Sequence, residues 1–202
     1  QWENQIRAKE RLQLMMPIVF AIIFVMLYFV TKDQKEAFVV MLSVPFALVG
    51  GVYLMYILGY NFSVAVWVGF IALYGLAVET GLIMVVFLHE ALDKRLRDFE
   101  IGKRGPLARQ DIVEATYEGS VLRLRPKVMT VSTTLIALVP IMWSTGVGAD
   151  VMQPLATPII GGLITSAIHV LIVTPILFTW MKERELKKGT LKVSKMASWM
   201  KE

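Results

Sequence analysis

Five apolar blocks dominate this chain, at residues 14–31, 37–59, 64–88, 128–143 and 155–181. Each is continuous and not striped, so none reads as a helix with one wet face. Hydrocarbon about 30 Å thick takes roughly 20 apolar residues to cross in a helix. No water is available there to satisfy backbone polar groups, so the blocks must be helical. A hydrophobic share of 56% in 202 residues, with 18% charged, agrees with an all-α membrane protein of five transmembrane helices. The block at 128–143 is short, and the span is placed at about 126–145.

Charge sets the sidedness. Lys and Arg number two in residues 31–36, nine in 89–127 and seven after Met181, with none in 60–63 or 144–154. By the positive-inside rule the basic segments are cytoplasmic. Residues 1–13 then form an outer connecting helix, whose three basic residues are tolerated if a large translocated domain precedes it. The transmembrane domain covers 14–181, with a cytoplasmic loop at 89–125 and a basic tail at 182–202. Inside that loop, 103–106 reads as a turn and 109–119 as a short surface helix carrying Ile112, Val113 and Tyr117. The net charge of +5 therefore reflects topology and contact with membrane lipid, and no nucleic-acid partner is expected. The chain starts at Gln1 without the shape of a signal peptide and reads as a piece of a longer polypeptide. It has no cysteine, which excludes disulfides and thiolate metal sites.

Within 64–88 the one ionisable side chain is Glu79, nine residues from one end. That is roughly 13 Å inside the hydrocarbon. A carboxylate at such depth costs about 2.5–3.5 kcal/mol on insertion scales, so it needs a use and a partner. Ala65, Gly69, Ala72, Gly75 and Glu79 share about one third of the helix circumference. The acid thus sits on a stripe of small residues that other helices can approach closely. One use is a proton carrier; the other is a buried structural carboxyl kept neutral by desolvation. Lys127 is the candidate partner, with Thr130 and Thr134 on its helix face. A lysine at a helix end also commonly snorkels to the interface, and contact requires the fourth helix to begin before Pro126 or its axis to be shifted. The glycine pairs at 50–51 and 161–162 predict close helix contacts.

Twelve methionines exceed the few expected for this length; packing is the usual explanation, and thioether is also a soft ligand suited to Cu(I) and Ag(I). Met15, Met16, Met26, Met41 and Met84 read as packing, while Met152 stands at the outer entrance of the last span beside Asp150. The HEALD run at 89–93 lacks the second histidine of a zinc protease. His169 reads as a hydrogen-bonded packing residue. No phosphate-binding glycine loop and no constellation of nucleophile, base and electrophile is present, so the chain is not read as an enzyme.

Two stretches resemble a known family: GFIALYGLAVETGLIMVVFLHEA (69–91) and DIVEATYEGSVLRLRPKVMTVSTTLIALVPIMWSTGVGADVMQPLATPIIGGLITS (111–166). They look like the last transmembrane segments of the resistance-nodulation-division (RND) superfamily, in its heavy-metal efflux branch and nearest its copper/silver transporters. The resemblance implies the C-terminal five of twelve transmembrane helices, with 1–13 descending from a periplasmic domain. It implies a bacterial inner-membrane homotrimer that joins a periplasmic adaptor and an outer-membrane channel and is driven by inward proton flow. Glu79 and Lys127 would form a proton relay with an aspartate from the N-terminal half, and Thr134 would contribute. Met152 would belong to a methionine pair relaying metal outward. The metal is cargo, Cu(I) or Ag(I), and no cofactor is implied. Alternatives are a zinc, cobalt or cadmium pump of the same superfamily and a non-transporting membrane remnant.

Overall fold

The structure, a computed structural model, describes residues 2–100, 109–188 and 191. The turn read at 103–106 and most of the basic tail lie outside the described residues. Helix α1 (Trp2–Thr31) joins the polar start and the first apolar block into one rod roughly 45 Å long. After it Lys32 adopts a left-handed φ of 53°, and the Asp33 carboxylate caps α2 (Gln34–Met41) by accepting from the Lys35 N–H at 3.0 Å. Helix α3 (Ser43–Leu58) continues the same span after a break at Leu42. The break falls where Pro45 has no N–H to return to Met41. Gly59 ends α3 with φ 70°, a conformation that costs glycine nothing.

Helices α4 (Val64–Glu100) and α5 (Arg109–Met142) are 37 and 34 residues long, each more than a bilayer needs. The segment at 89–125, expected as a loop, is therefore mostly helix. The 109–119 helix is not separate but forms the first turns of α5. The reason is an apolar seam: Leu88, Leu92 and Leu96, four residues apart, cluster with Ile112, Ala115 and Phe178. Ile112 is fully buried there, whereas Val113 and Tyr117 face outward. Arg95 reinforces the seam with an ion pair to Glu114 at 2.8 Å. Helix α6 (Ala149–Ile168) leads into a π-turn (His169–Val173) and then α7 (Thr174–Lys187). Pro175 cannot donate to Leu171, and the Thr174 N–H reaches back five residues to the His169 carbonyl, widening the turn.

Four helical runs are long and apolar enough to cross a membrane by length and composition: Gln34–Leu58, Val64–Asp98, Arg109–Met142 and Ala149–Lys187. The apolar part of α1, Pro17–Thr31, is a fifth and shorter one. No strand occurs among the described residues, so the fold is all-α as expected. The tightest contact is α3 on α6. A Cβ on Gly50 would overlap the Gly161 carbonyl, and one on Gly161 would overlap that of Gly50. Thr165 Oγ1 seals the crossing by donating to the Phe46 carbonyl at 2.9 Å.

The ends of α2, α4 and α7 meet in a buried ionic cluster at the basic end of the bundle. Lys182 Nζ donates to Glu36 Oε1 at 3.0 Å and to Glu185 Oε2 at 3.1 Å. His89 Nε2 lies 2.7 Å from the same Glu36 oxygen, and its ring stands edge-on to Phe178 at 4.9 Å. Glu36 is 3% exposed, so its charge depends on these partners.

Candidate functional site

Glu79 lies fifteen residues into α4, and Lys127 lies fifteen residues before the end of α5. The two helices connect at the basic end and run antiparallel, so both residues sit roughly 22 Å from the opposite end. The condition for contact is met because α5 begins at Arg109 and runs through Pro126. Both residues line one pocket of about 150 Å3, with Thr80, Arg123, Thr130 and Thr134 also in its wall. Leu163 of α6 contributes apolar lining.

Lys127 is 4% exposed, so it does not snorkel outward. Its Nζ has no hydrogen-bond partner among the described residues, and no ion pair joins it to Glu79. Thr130 Oγ1 donates to the Lys127 carbonyl at 2.9 Å, and Thr134 Oγ1 donates to the Thr130 carbonyl at 2.9 Å. With their protons committed, both hydroxyls keep oxygen lone pairs as acceptors for a cation or water. Arg123 adds a second cation that sequence reasoning missed; it lies one turn before Lys127 on the same face and covers the Phe87 ring at 5.0 Å. Opposed charges in a small cavity with hydroxyl oxygens can hold a proton in alternative positions and bias helix packing as it moves.

The small-residue stripe is only half used. Gly69 packs against the Leu155 backbone and Pro158, but a Cβ on Gly75 would meet nothing within 4 Å. Glu79 is exposed on that side, so the expectation that helices enclose it holds on the α5 side alone. The cause is visible in α5, whose apolar window is 6% buried against 44% in each of the other three long spans. This chain covers α4 and α5 from one side.

Met152 is 53% exposed on the first turn of α6, near the end away from the basic cluster. The structure does not bring it to the Glu79 pocket. Its neighbour Gln153 ties α6 to the end of α5, donating from Nε2 to the carbonyls of Met142 at 3.2 Å and Ser144 at 2.8 Å. The Met142 sulfur accepts weakly from Thr157 Oγ1 at 3.8 Å. No group of three or more His, Asp or Glu side chains is placed to hold a metal among the described residues. Met84 is buried as packing, as expected, whereas Met15 and Met26 are exposed. His169 departs from expectation: it is 1% exposed and stacks on Phe46 at 4.3 Å, yet neither ring nitrogen has a hydrogen-bond partner among the described residues.

The AcrB/AcrD/AcrF family model matches residues 1–182. The chain is 40% identical over 190 residues to the cation efflux system protein CusA of Escherichia coli K12, covering 93% of this chain and 18% of that protein. It is 39% identical over 189 residues to the putative cation efflux system protein SilA of Salmonella typhimurium, covering 94% and 18%. The cobalt-zinc-cadmium resistance protein CzcA of Cupriavidus metallidurans is 34% identical over 171 residues, covering 85% and 15%. A crystal structure of a heavy metal efflux pump superposes with a TM-score of 0.74 at 33% identity, covering 91% of this chain and 17% of that one. The chain thus spans under a fifth of the length of these relatives. Family match and helical architecture agree with the resemblance drawn from residues 69–91 and 111–166: the chain belongs to the AcrB/AcrD/AcrF family of RND proteins, on its heavy-metal efflux side.

Proposed function

We propose that this chain is the proton-carrying transmembrane part of a heavy-metal efflux transporter that exports Cu(I) or Ag(I). The observation that carries this reading is the Glu79 carboxylate sharing a pocket at mid-membrane depth with the buried Lys127 ammonium, which has no hydrogen-bond partner among the described residues. Binding a proton at Glu79 removes the attraction between the two groups; releasing it restores that attraction. The change acts on α4 and α5, whose other faces are open for the rest of the transporter. Thr134 supplies an acceptor oxygen on the route into the pocket. Met152 offers a soft sulfur at the outer entrance, suited to monovalent copper or silver.

The transporter would be an inner-membrane homotrimer with the segment before α1 on the periplasmic side and the basic end in the cytoplasm. It would join a periplasmic adaptor and an outer-membrane channel. Its work is antiport of protons against metal, with no covalent chemistry on the cargo. Identity to the cobalt-zinc-cadmium resistance protein CzcA is lower than that to the cation efflux proteins CusA and SilA, which weighs against zinc, cobalt and cadmium.

The test is Glu79→Gln in the complete transporter expressed in a metal-sensitive bacterial host. Silver and copper tolerance should vanish while the protein still reaches the membrane; retained tolerance refutes the proton-carrier role. Met152→Leu, scored on silver and on zinc plates, should lose silver tolerance only. Loss of zinc tolerance instead assigns the cargo to the other branch.

A further inference from the structure

Among the buried polar side chains without hydrogen-bond partners among the described residues, two stand on the last span: Ser166 and His169. Buried hydroxyl and imidazole groups left unpaired cost about 1–3 kcal/mol each, so their retention asks for a use. Leu163, Ser166 and His169 recur every third residue along α6 and therefore form a stripe of about 120°. The stripe starts in the wall of the Glu79 pocket, because Leu163 lines it. It ends at His169, the buried residue that opens the π-turn.

Depth gives the stripe a direction. His169 is twenty residues from the start of α6, roughly 30 Å from the outer end, and Lys127 is roughly 22 Å from it. The imidazole is thus about 8 Å nearer the basic end than the ammonium. The ring is fixed by stacking on Phe46, and its backbone opens the π-turn, a local widening frequent at working sites. The titratable groups on the elements around it include Lys127 and Arg123 on α5, Tyr74, Glu79 and His89 on α4, and Lys182 on α7 beyond the turn. Helix α3 presents the Phe46 ring.

We propose that His169, bridged through Ser166, is the next proton carrier after Lys127 on the way to the cytoplasmic face. One imidazole nitrogen accepts the proton that Lys127 gives up, leaving a neutral amine and an imidazolium. The other nitrogen then releases its proton toward the cytoplasmic side, and the next proton from Glu79 restores the ammonium. No bond other than N–H or O–H changes, and charge is conserved at each transfer. This rests on the efflux reading and adds a residue and an exit route to it.

The test uses the complete transporter in liposomes loaded with a pH-sensitive dye, with Ag(I) as the driving cargo. His169→Gln and His169→Phe should each slow silver-coupled proton flux by about a hundred-fold, the lower range of a lost acid–base group. Silver binding should stay within about two-fold of wild type. Ser166→Ala should slow flux more mildly and leave assembly intact. Flux and pH profile unchanged in His169→Phe, while Glu79→Gln is inactive, overturn the His169 role alone. An active Glu79→Gln sinks the efflux reading and this one with it. Should the histidine variants fail to assemble, the 15N shifts of the His169 ring in intact protein decide. Shifts that titrate between about pH 5 and about pH 8 and move in Glu79→Gln support the role. Shifts blind to both overturn it.

Discussion

Replacing Lys182 with methionine tests whether the ionic cluster at the basic end holds three helices together. Methionine keeps most of the stem volume and removes only the ammonium, so packing against Phe178 changes little. Glu36, almost wholly buried, is left with His89 as its one partner among the described residues. Removing one member of a buried pair costs about 3–5 kcal/mol, because the remaining charge stays desolvated and unpaired. His89 Nε2, still 2.7 Å from Glu36, places the expected loss near the lower figure. Glu36→Gln should cost less, about 1–3 kcal/mol, since Lys182 keeps Glu185 at 3.1 Å. The double variant should be less damaging than the sum by about 0.5–3 kcal/mol. For a protein of this size the single change corresponds to a fall in Tm of about 6–12 °C. Thermal unfolding of the detergent-solubilised protein, followed by tryptophan fluorescence, measures all three variants. A Lys182→Met shift below about 2 °C, or strict additivity in the double variant, refutes the clamp.

Other expectations concern the contacts that set the bundle. Gly161→Ala should destabilise by about 1–3 kcal/mol, because its Cβ runs into the Gly50 carbonyl and backbone cannot step aside; unchanged thermal stability contradicts the crossing. Gly75→Ala should stabilise an isolated preparation of this chain by about 0.5–1 kcal/mol, since the site is open and alanine prefers helix; a loss of transport in the complete protein would reveal a helix packed there. Gln153→Leu removes two bonds to the end of α5 and one from the Tyr60 hydroxyl, and should lower stability by about 1–3 kcal/mol in the same unfolding assay.

How far sequence alone could reach is clear from particular residues. The apolar blocks were readable because bilayer thickness leaves helices few alternatives, and the glycine pairs marked the α3–α6 crossing because only small residues let backbones touch. The shared pocket of Glu79 and Lys127 was half readable. Spacing located both groups, but the outcome depended on α5 running through Pro126, which local rules discourage and packing against α4 permits. Nothing local pointed to Glu36, His89 and Lys182 as one cluster. They are separated by up to 146 positions, and each alone looks like an ordinary charge beside a membrane. His169 was misjudged for the same reason: α3 sets its Phe46 ring, which cannot hydrogen-bond, against the imidazole, and no local pattern shows that.

The wide turn at His169–Val173 has a geometric consequence for the lower half of the last span. One extra residue accommodated in the coil re-phases everything after it by about 100°, the angular step of a single position. Pro175 thereby decides where Lys182 points. Drawn as a regular rod, α6 and α7 could not present Ser166 inward above and the Lys182 ammonium to Glu36 below in the same alignment. A proline that breaks one backbone bond thus acts as the indexing pin by which two chemically distinct levels of one span are set independently.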